Sequence, residues 1–214
     1  MSGVVDLQWP AWDATSQLTV EAPQAAVALL GAHLVRLMED GRLIVAQIVE
    51  TEAYRQDDPA SHSFRGRTAA NASMFAPAGT AYVYRSYGVH WCLNVAVEAP
   101  GSGAAVLIRA AVVVDGIDVV RRHRPGRADR ELLRGPGNLT AGLDIDGHRH
   151  DGVSLTATGS SLRLAAGRAP HTVQRGPRTG VRLGADVPWR FHLDVPEVSS
   201  YRRHPRARST GHET

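Results

Sequence analysis

The 214-residue chain contains no lysine, because all 24 of its basic residues are arginine. Without a side-chain amine, the sequence excludes the Schiff-base nucleophile of aldolases and pyridoxal enzymes and the lysine of a Walker A phosphate loop. Its single cysteine, Cys92, excludes an internal disulfide and a metal site built from several cysteines. No apolar run approaches the roughly 18 residues of a membrane span, and no basic region followed by an apolar one opens the chain. We therefore expect a cytoplasmic protein with no membrane partner.

The composition is typical of one globular domain. Hydrophobic residues make up 43% of the chain, which is close to the globular norm, and a chain of this length usually forms a single core. The formal net charge is +3. Because arginine stays protonated and offers a planar fork of donors, such a surface favours phosphate-bearing partners, although many basic proteins bind none.

Antiparallel strand pairs are predicted in the middle of the chain. Two apolar runs flank Glu39-Asp40-Gly41, a sequence typical of a hairpin turn. A second hairpin is predicted across residues 80–99, with its turn near Tyr87-Gly88, and another strand at residues 104–114. Shorter strand-like segments occur later, at residues 161–166, 179–184 and 189–195.

Helices are predicted on either side of these strands. One would be capped by Thr19 and stopped by Gly31. Others are predicted at residues 116–124, at residues 127–133 and within GPGNLTAGLDI. The polar, irregular stretch 53–79 is longer than an ordinary loop, which is typical of a functional or disordered segment. The pattern predicts one α+β domain with a largely antiparallel sheet.

Two glutamates and a tyrosine alternate at the end of an apolar strand, in Glu50-Thr51-Glu52-Ala53-Tyr54. Since neighbouring strand residues point to opposite faces, Glu50, Glu52 and Tyr54 share one face. Paired carboxylates beside an aromatic ring, just before a long polar loop, are compatible with a general-base site. The alternative is a solvated sheet face with an exposed tyrosine, because structural carboxylates far outnumber catalytic ones.

Aromatic residues concentrate in the second predicted hairpin, at Tyr82, Tyr84, Tyr87 and Trp91. Tyr82 and Tyr84 share a strand face, and Tyr87 lies near the turn. Strand tyrosines mostly serve packing. A ring surface with Arg85 interleaved can also stack nucleic-acid bases, so both interpretations stay open at this point.

Histidine and arginine residues add further candidates. His62 lies in the polar loop that follows Glu52. The HRHD string at residues 148–151 lacks a third ligand at suitable spacing, so we interpret it as a polar turn and expect no metal. Arg109 lies inside an apolar strand, where arginine is rarely buried unless it is paired, which indicates a carboxylate partner such as Glu52. The arginine-rich stretch 121–134 suits either phosphates or a solvated helix face, because acidic residues alternate with it.

Together, the strings ETEAY, SHS, MFAPAGTAYVYRSYGVHWCLNV and LIRA resemble the alkyladenine DNA glycosylase family, also called 3-methyladenine or methylpurine DNA glycosylases. Their order and spacing match over residues 22–195. The resemblance implies a single compact α+β domain around a curved, largely antiparallel β-sheet with flanking helices, and no cofactor. It places a methylpurine-DNA-glycosylase-like domain at residues 19–200, between a loose lead-in at residues 1–18 and a basic, frayed tail at residues 201–214.

The resemblance also assigns catalytic roles. Glu52 falls on the family's general base, which activates water, and Arg109 falls on an arginine that helps to hold that water. The main chain near Thr179 matches the segment that gives the water a further contact. Tyr87 falls on the side chain that intercalates into the duplex and fills the gap left by the flipped nucleotide.

Four further residues fall on the family's base pocket. Tyr54 and Tyr84 match the two tyrosines that sandwich the flipped base. His62 matches a histidine that contacts the base by a hydrogen bond, and Asn94 matches an asparagine that crowds the exocyclic amino group of normal guanine. The chain departs from the family pattern at Ala69-Ala70-Asn71, where relatives often have Pro-Arg-Asn, and at Asn138, where lysine is common. These departures bear on affinity and substrate range.

The function implied is hydrolytic excision of alkylated purines from double-stranded DNA, leaving an abasic site. 3-Methyladenine and 7-methylguanine are the expected substrates, while hypoxanthine and ethenoadenine would depend on details of the pocket. The resemblance further implies a monofunctional DNA N-glycosylase without lyase activity, acting as a monomer at the nucleoid of a bacterial cytoplasm. One alternative is a non-catalytic damaged-DNA-binding module of the same fold. A second is the nucleic-acid-binding domain of an RNA enzyme.

Overall fold

A computed structural model describes residues 9–10, 12 and 14–199 of the chain. The predicted tail at residues 201–214 and the first eight residues of the predicted lead-in lie outside the described residues. The described part contains five α-helices: α1 Thr15–Leu18, α2 Ala22–Ala28, α3 Ile117–His123, α4 Pro136–Gly142 and α5 Gly147–His150. Two 3₁₀ segments lie at Ala69–Phe75 and Asp129–Glu131.

Eight strands form one antiparallel sheet. Their bounds are β1 His33–Leu37, β2 Leu43–Tyr54, β3 Ala81–Ser86, β4 His90–Val97, β5 Ala104–Asp115, β6 Leu162–Ala165, β7 Gln174–Gly176 and β8 Arg190–His192. The order is β3-β4-β5-β2-β1-β6, and β8 pairs with the end of β2 beyond β1. The second half of β2 therefore has a hydrogen-bonded strand on each side.

The sheet is curled, and its two faces differ in chemistry. One face carries the apolar core, where strand residues such as Val83, Leu93 and Ile108 are buried against the helices. The opposite face carries the polar and aromatic residues of β2 to β5. Burial of one face fixes the strand register, because a shift by one residue would bring polar side chains into the core.

Most predicted elements are present, and the α+β class with a curved antiparallel sheet is confirmed. The first predicted helix differs at its start, because its N-cap is Glu21, whereas Thr19 ends the preceding helix α1. Helix α1 lies inside the predicted lead-in, and its Leu18 is completely buried.

Two predicted elements were wrong. The helix expected at residues 127–133 is reduced to the 3₁₀ segment Asp129–Glu131. The strand expected at residues 179–184 is an irregular loop. Its apolar residues Val181 and Leu183 line a cavity, and Leu183 is 61% exposed. They do not cover a face of the sheet, as the apolar residues of a strand would.

Candidate active site

The floor of the site is a row of side chains that crosses four strands in register. Tyr82 on β3 pairs with Asn94 on β4, Asn94 pairs with Leu107 on β5, and Leu107 pairs with Glu52 on β2. Because directly paired residues project to the same face, all four side chains lie together on the concave surface. The neighbouring positions on that face are Tyr54, Tyr84, Cys92 and Arg109.

A charged cluster is buried at the centre of this floor. Glu50 and Glu52 are 0% exposed and Arg109 is 3% exposed. Arg109 donates through Nε to Glu50 Oε1 and through Nη1 to Glu52 Oε2, each at 3.1 Å. The carboxylate partner predicted for Arg109 is thus present, and the alternative of a solvated sheet face is excluded.

Glu50 anchors this cluster. Its Oε1 also accepts from Arg190 at 2.5 Å, and its Oε2 accepts from the backbone and the hydroxyl of Ser199, both at 2.7 Å. Burial acts to raise the pKa of the Glu50 carboxyl, but Arg109, Ser199 and Arg190 outweigh it and hold the pKa below its usual value. Glu50 therefore stays ionised, and each of its carboxylate oxygens accepts two hydrogen bonds from protein donors.

Glu52 is held differently, by groups that belong to the cavity wall. Its Oε1 accepts from the backbone N–H of Thr179 at 2.6 Å, and its Oε2 accepts from the Tyr54 hydroxyl at 2.9 Å as well as from Arg109. Burial, followed by the Glu52 charge, raises the pKa of Tyr54 well above its ordinary value, so this hydroxyl remains a donor. On the guanidinium, burial lowers the pKa of Arg109, and the two glutamates reverse that effect and raise it.

The aromatic residues form one wall of the cavity. The rings of His62 and Tyr84 meet edge to face with centroids 4.4 Å apart, and Tyr84 stacks on Tyr82 at 5.4 Å. Burial raises the pKa values of both tyrosines, so their hydroxyls stay protonated. Asn94 is 4% exposed and donates from Nδ2 to the backbone oxygen of Tyr82 at 3.1 Å, which fixes its amide in the floor.

A hydrogen bond joins Tyr82 to the imidazole of His62. Tyr82 Oη and His62 Nδ1 are 3.0 Å apart. Although His62 is partly exposed, burial by the surrounding rings lowers its pKa, so the ring is neutral near pH 7. In one tautomer the phenol donates to Nδ1 and the ring proton on Nε2 is free to donate; in the other, Nδ1–H donates to the phenol oxygen.

The loop that carries His62 is fastened by one buried asparagine. Asn71 is 4% exposed, and its Nδ2 donates to the backbone oxygens of His62 at 2.9 Å and of Gly66 at 3.1 Å. Its Oδ1 accepts from the Thr68 backbone at 2.6 Å, which starts the 3₁₀ segment Ala69–Phe75. The long polar stretch 53–79 is therefore an ordered wall of the site.

These side chains surround a cavity of about 680 Å³, within the roughly 300–1,000 Å³ of small-molecule sites. Its lining includes every predicted pocket residue together with Arg109 and the Thr179 segment, namely Tyr54, His62, Tyr84, Asn94, Arg109 and Thr179. Tyr87 also lines it and is 93% exposed, at the tip of the β3–β4 hairpin. Six of the seven predicted site residues thus line one cavity. The seventh, Glu52, is buried behind the lining and accepts from three lining groups, Tyr54, Arg109 and Thr179.

Several residues of this site were missed from the sequence. Glu50 was noted only as a face neighbour of Glu52, and Tyr82 only as one of four aromatic residues that could pack or stack bases. Cys92 lines the cavity beside Tyr84, and burial raises the pKa of its thiol. Arg178 was not considered at all, although it is 5% exposed and its guanidinium lies 4.8 Å from the Tyr54 ring centroid. Alternation could have placed Tyr82 and Cys92 on the floor, whereas Arg178 lies in an irregular loop.

The HRHD string is part of the scaffold. It forms most of helix α5, where His148 packs edge to face on Trp91 at 5.5 Å and His150 is 3% exposed. Asp151 accepts from the Val83 backbone at 2.9 Å and from Ser73 at 3.0 Å. Within residues 9–10, 12 and 14–199, no group of three or more His, Cys, Asp or Glu is arranged to hold a metal ion.

Asn138, at the position where lysine is common in the family, makes two local hydrogen bonds. Its Oδ1 accepts from Arg124 at 2.5 Å, and its Nδ2 donates to the Arg134 backbone at 2.6 Å.

In the part of the chain that the structure describes, no helix has the length and apolarity to cross a membrane.

Comparison with known proteins gives concordant results. A family model described as methylpurine-DNA glycosylase matches residues 16–196. A relative from Nocardia farcinica is 48% identical over 89% of the chain and 92% of its own length. Relatives from Carboxydothermus hydrogenoformans and Mycolicibacterium paratuberculosis are 47% and 44% identical, over 77% and 93% of the chain and 86% and 98% of their own lengths. All three are provisionally named 3-methyladenine DNA glycosylases.

Proposed function

Because the chain belongs to the methylpurine-DNA glycosylase family, we propose that it flips alkylated purines out of duplex DNA and hydrolyses their glycosidic bonds, leaving an abasic site. It is a DNA repair glycosylase for alkylated bases. The proposal adds the reaction product, the substrate range and the residues that act. 3-Methyladenine and 7-methylguanine are its main substrates, because both are cationic and therefore leave readily.

Recognition of a cationic purine rests on the aromatic wall. Alkylation at N3 or N7 gives the base a positive charge, and a cation against tyrosine faces gains roughly 1–2 kcal/mol when it is desolvated. Tyr54 and Tyr84 line the cavity and supply those faces. His62 donates from Nε2 to an acceptor on the base edge, and Asn94 in the floor narrows the space beside the exocyclic group.

Hydrolysis rests on Glu52. Its two oxygens already accept from Thr179, Tyr54 and Arg109, so its carboxylate is fixed in direction before substrate binds. A carboxylate has about four lone-pair sites, and three are used here, which leaves one to take a proton from an attacking water. Arg109, neutralised on its far side by Glu50, holds that water close to the anomeric carbon.

Extrusion of the target nucleotide rests on Tyr87. A flipped base loses stacking worth a few kcal/mol. An aromatic side chain that enters the duplex replaces part of this stacking, as other apolar wedges do. The position of Tyr87 at a hairpin tip on the rim of the cavity supports that role. We propose a monomer as the active form.

The observation that carries the proposal is the buried Glu50–Arg109–Glu52 cluster, whose Arg109 lines the tyrosine-rich cavity and whose Glu52 accepts from three groups of its lining. We expect Glu52→Gln to retain binding to alkylated duplex and to slow base release by about 10²–10⁴-fold, the usual contribution of a general base. Glu98→Gln is the matched control, because Glu98 is a half-buried glutamate that accepts from Ala22 at 3.0 Å outside the cavity. The assay is single-turnover release of 3-methyladenine, with free base and abasic strand measured separately.

Three outcomes are informative. Loss of release with retained binding in Glu52→Gln alone supports the assignment. Release at near the wild-type rate in Glu52→Gln would refute Glu52 as the base. A wild-type protein that binds alkylated duplex and releases no base would instead favour a non-catalytic damaged-DNA-binding module.

A further inference from the structure

Arg178 lies outside the cavity and holds two of its walls together. It is 5% exposed and donates from both Nη atoms to the buried carboxylate of Asp58, with Nη2–Oδ1 at 3.0 Å. Nη1 also donates to the Ala53 backbone at 3.1 Å, and Nη2 to the Gly184 backbone at 3.2 Å. One guanidinium thus joins the end of β2, the loop that begins the 53–79 stretch, and the loop at residues 177–187.

The same guanidinium supports two aromatic rings. Its Cζ lies 4.8 Å from the Tyr54 ring centroid and 5.4 Å from that of Trp189. Since Tyr54 lines the cavity and Arg178 does not, the guanidinium covers Tyr54 from outside the cavity. Burial lowers the pKa of Arg178, but Asp58 outweighs burial and raises it, so the cation persists.

Two residues next to Arg178, one in space and one in the chain, donate hydrogen bonds to Glu52. Tyr54, under the guanidinium, donates its hydroxyl to Glu52 Oε2 at 2.9 Å. Thr179, the next residue in the chain, donates its backbone N–H to Glu52 Oε1 at 2.6 Å. We propose that Arg178 and Asp58 form a positioning pair that orients the Glu52 carboxylate through Tyr54 and Thr179, an inference that rests on the proposed function.

The alternative is that Arg178 stabilises the fold and nothing more. Arg36 provides the matched control for this alternative. It is 3% exposed and lies 3.7 Å from a carboxylate oxygen of Asp144. Like that of Arg178, its buried Nε has no hydrogen-bond partner among the described residues. Its contacts are with Leu37 and Asp144, neither of which lines the cavity.

The experiment compares Arg178→Gln with Arg36→Gln at a temperature where both proteins are folded. Single-turnover release of 3-methyladenine is measured beside the Kd for duplex DNA with an abasic-site analogue. We expect Arg178→Gln to slow release by roughly 10²-fold, the usual effect of a small misplacement, while Kd changes by less than about threefold. We expect Arg36→Gln to lower Tm and to leave the release rate within about twofold of wild type.

A second pair of measurements keeps the inference testable if Arg178→Gln folds poorly. Asp58→Asn leaves the guanidinium in place but removes its anchor, so release should slow without loss of binding. Independently of activity, NMR hydrogen exchange at the Thr179 amide should become at least about tenfold faster in the Arg178 and Asp58 variants and stay unchanged in Arg36→Gln.

The outcomes separate this inference from the proposed function. Release and Thr179 protection that match those of Arg36→Gln would overturn the positioning role. A wild-type protein that releases no base would overturn the proposed hydrolysis, while the Thr179 amide would still report whether Arg178 orders the 177–187 loop.

Discussion

At the residue scale, the position of the proton on the His62 ring decides which hydrogen bond this side chain can make in the cavity. We infer that Tyr82 donates to His62 Nδ1, 3.0 Å away, which leaves Nε2–H as the group that His62 offers to the cavity. A protonated His62 would repel a cationic purine and could no longer accept from Tyr82. Because burial lowers the pKa of His62, the neutral donor form persists through pH 7.

This arrangement predicts a pH dependence that Tyr82→Phe should move. In the wild-type protein, burial holds the pKa of His62 below its ordinary value of about 6.5, so release of 3-methyladenine should fall only at a pH below that value. Without the donated hydrogen bond, neutral His62 loses stabilisation, its pKa rises, and the fall should begin at a higher pH. At pH 7.5, loss of one hydrogen bond should slow release by roughly fivefold.

The measurement is a single-turnover pH–rate profile of both proteins. His62→Gln removes the titrating group and should flatten the part of the profile that His62 causes. An identical acid limb in wild type and Tyr82→Phe would contradict the tautomer assignment. The free energy of unfolding should depend on pH in the same direction as release. A histidine whose pKa is lowered on folding contributes stability above about pH 6.5, and this contribution is lost as pH falls.

Among the elements, the β3–β4 hairpin has a turn that conflicts with its sequence. Val89 donates to the Ser86 backbone at 3.0 Å, and the two central residues, Tyr87 and Gly88, have φ of +50° and +69°. Glycine adopts this region freely, whereas a tyrosine there is strained by roughly 1–3 kcal/mol. A strained, 93% exposed aromatic residue at the rim of a cavity points to function.

The expected result is a trade between stability and activity in Tyr87→Asn. Asn-Gly is the preferred pair for a turn with two positive φ values, so the variant should be more stable, by up to about 1 kcal/mol. Its release from duplex DNA should drop much more than its release from single strands, because the wedge acts only where stacking must be replaced. Thermal unfolding and paired duplex and single-strand assays measure the two effects.

Val89→Asn is a suitable control at the same tip, since Val89 is 64% exposed and does not line the cavity. Equal losses on duplex and single strands in Tyr87→Asn would contradict the intercalating role. An unchanged or lower Tm would show that the tyrosine is not strained at this position.

The contrast between strands and loops explains which parts of the site could be predicted. Strand alternation placed Glu50, Glu52 and Tyr54 on one face, and a charged residue in an apolar strand indicated a partner for Arg109. These are regular elements in which spacing alone decides direction. The 53–79 and 177–187 loops have no such period.

The loop contacts join residues that are far apart in the chain. Arg178 meets Asp58 across 120 positions, and Thr179 meets Glu52 across 127. Nothing local in either segment identifies its partner, because the pairing is decided by how the sheet folds. The resemblance matches the main chain near Thr179 to a segment that contacts the reacting water, and the structure shows that the Thr179 N–H donates directly to Glu52.

At the scale of the whole molecule, the arginines divide into neutralised and available groups. Arg121, for example, donates to Asp118 and Asp129 at 2.8–3.0 Å. Arg85 and Arg182 line the cavity, are exposed, and have no carboxylate partner among the described residues. A net charge of only +3 therefore hides a locally cationic rim around the pocket.

This distribution predicts how DNA affinity responds to salt. If Arg85 and Arg182 each neutralise one phosphate, Arg85→Gln and Arg182→Gln should each reduce the slope of log K against log salt by about 0.9. Arg121→Gln is the control and should leave the slope unchanged, because its charge is already compensated. Fluorescence anisotropy with an undamaged duplex at several salt concentrations gives the slopes, and an equal slope in all four proteins would contradict the assignment.

The absence of lysine predicts that the DNA strand stays uncut after the base has left. Glycosylases that also cut the strand use an amine to form an imine with the opened abasic sugar, and guanidinium groups, which remain protonated, cannot do this. Apart from the N-terminal amine, the chain has no such group. Borohydride should therefore trap no protein–DNA adduct during turnover, and the product strand should stay intact until alkali is added. A lysine-containing bifunctional glycosylase serves as the positive control. A trapped adduct would contradict simple hydrolysis, and mapping it to Met1 would identify the N-terminal amine as the nucleophile.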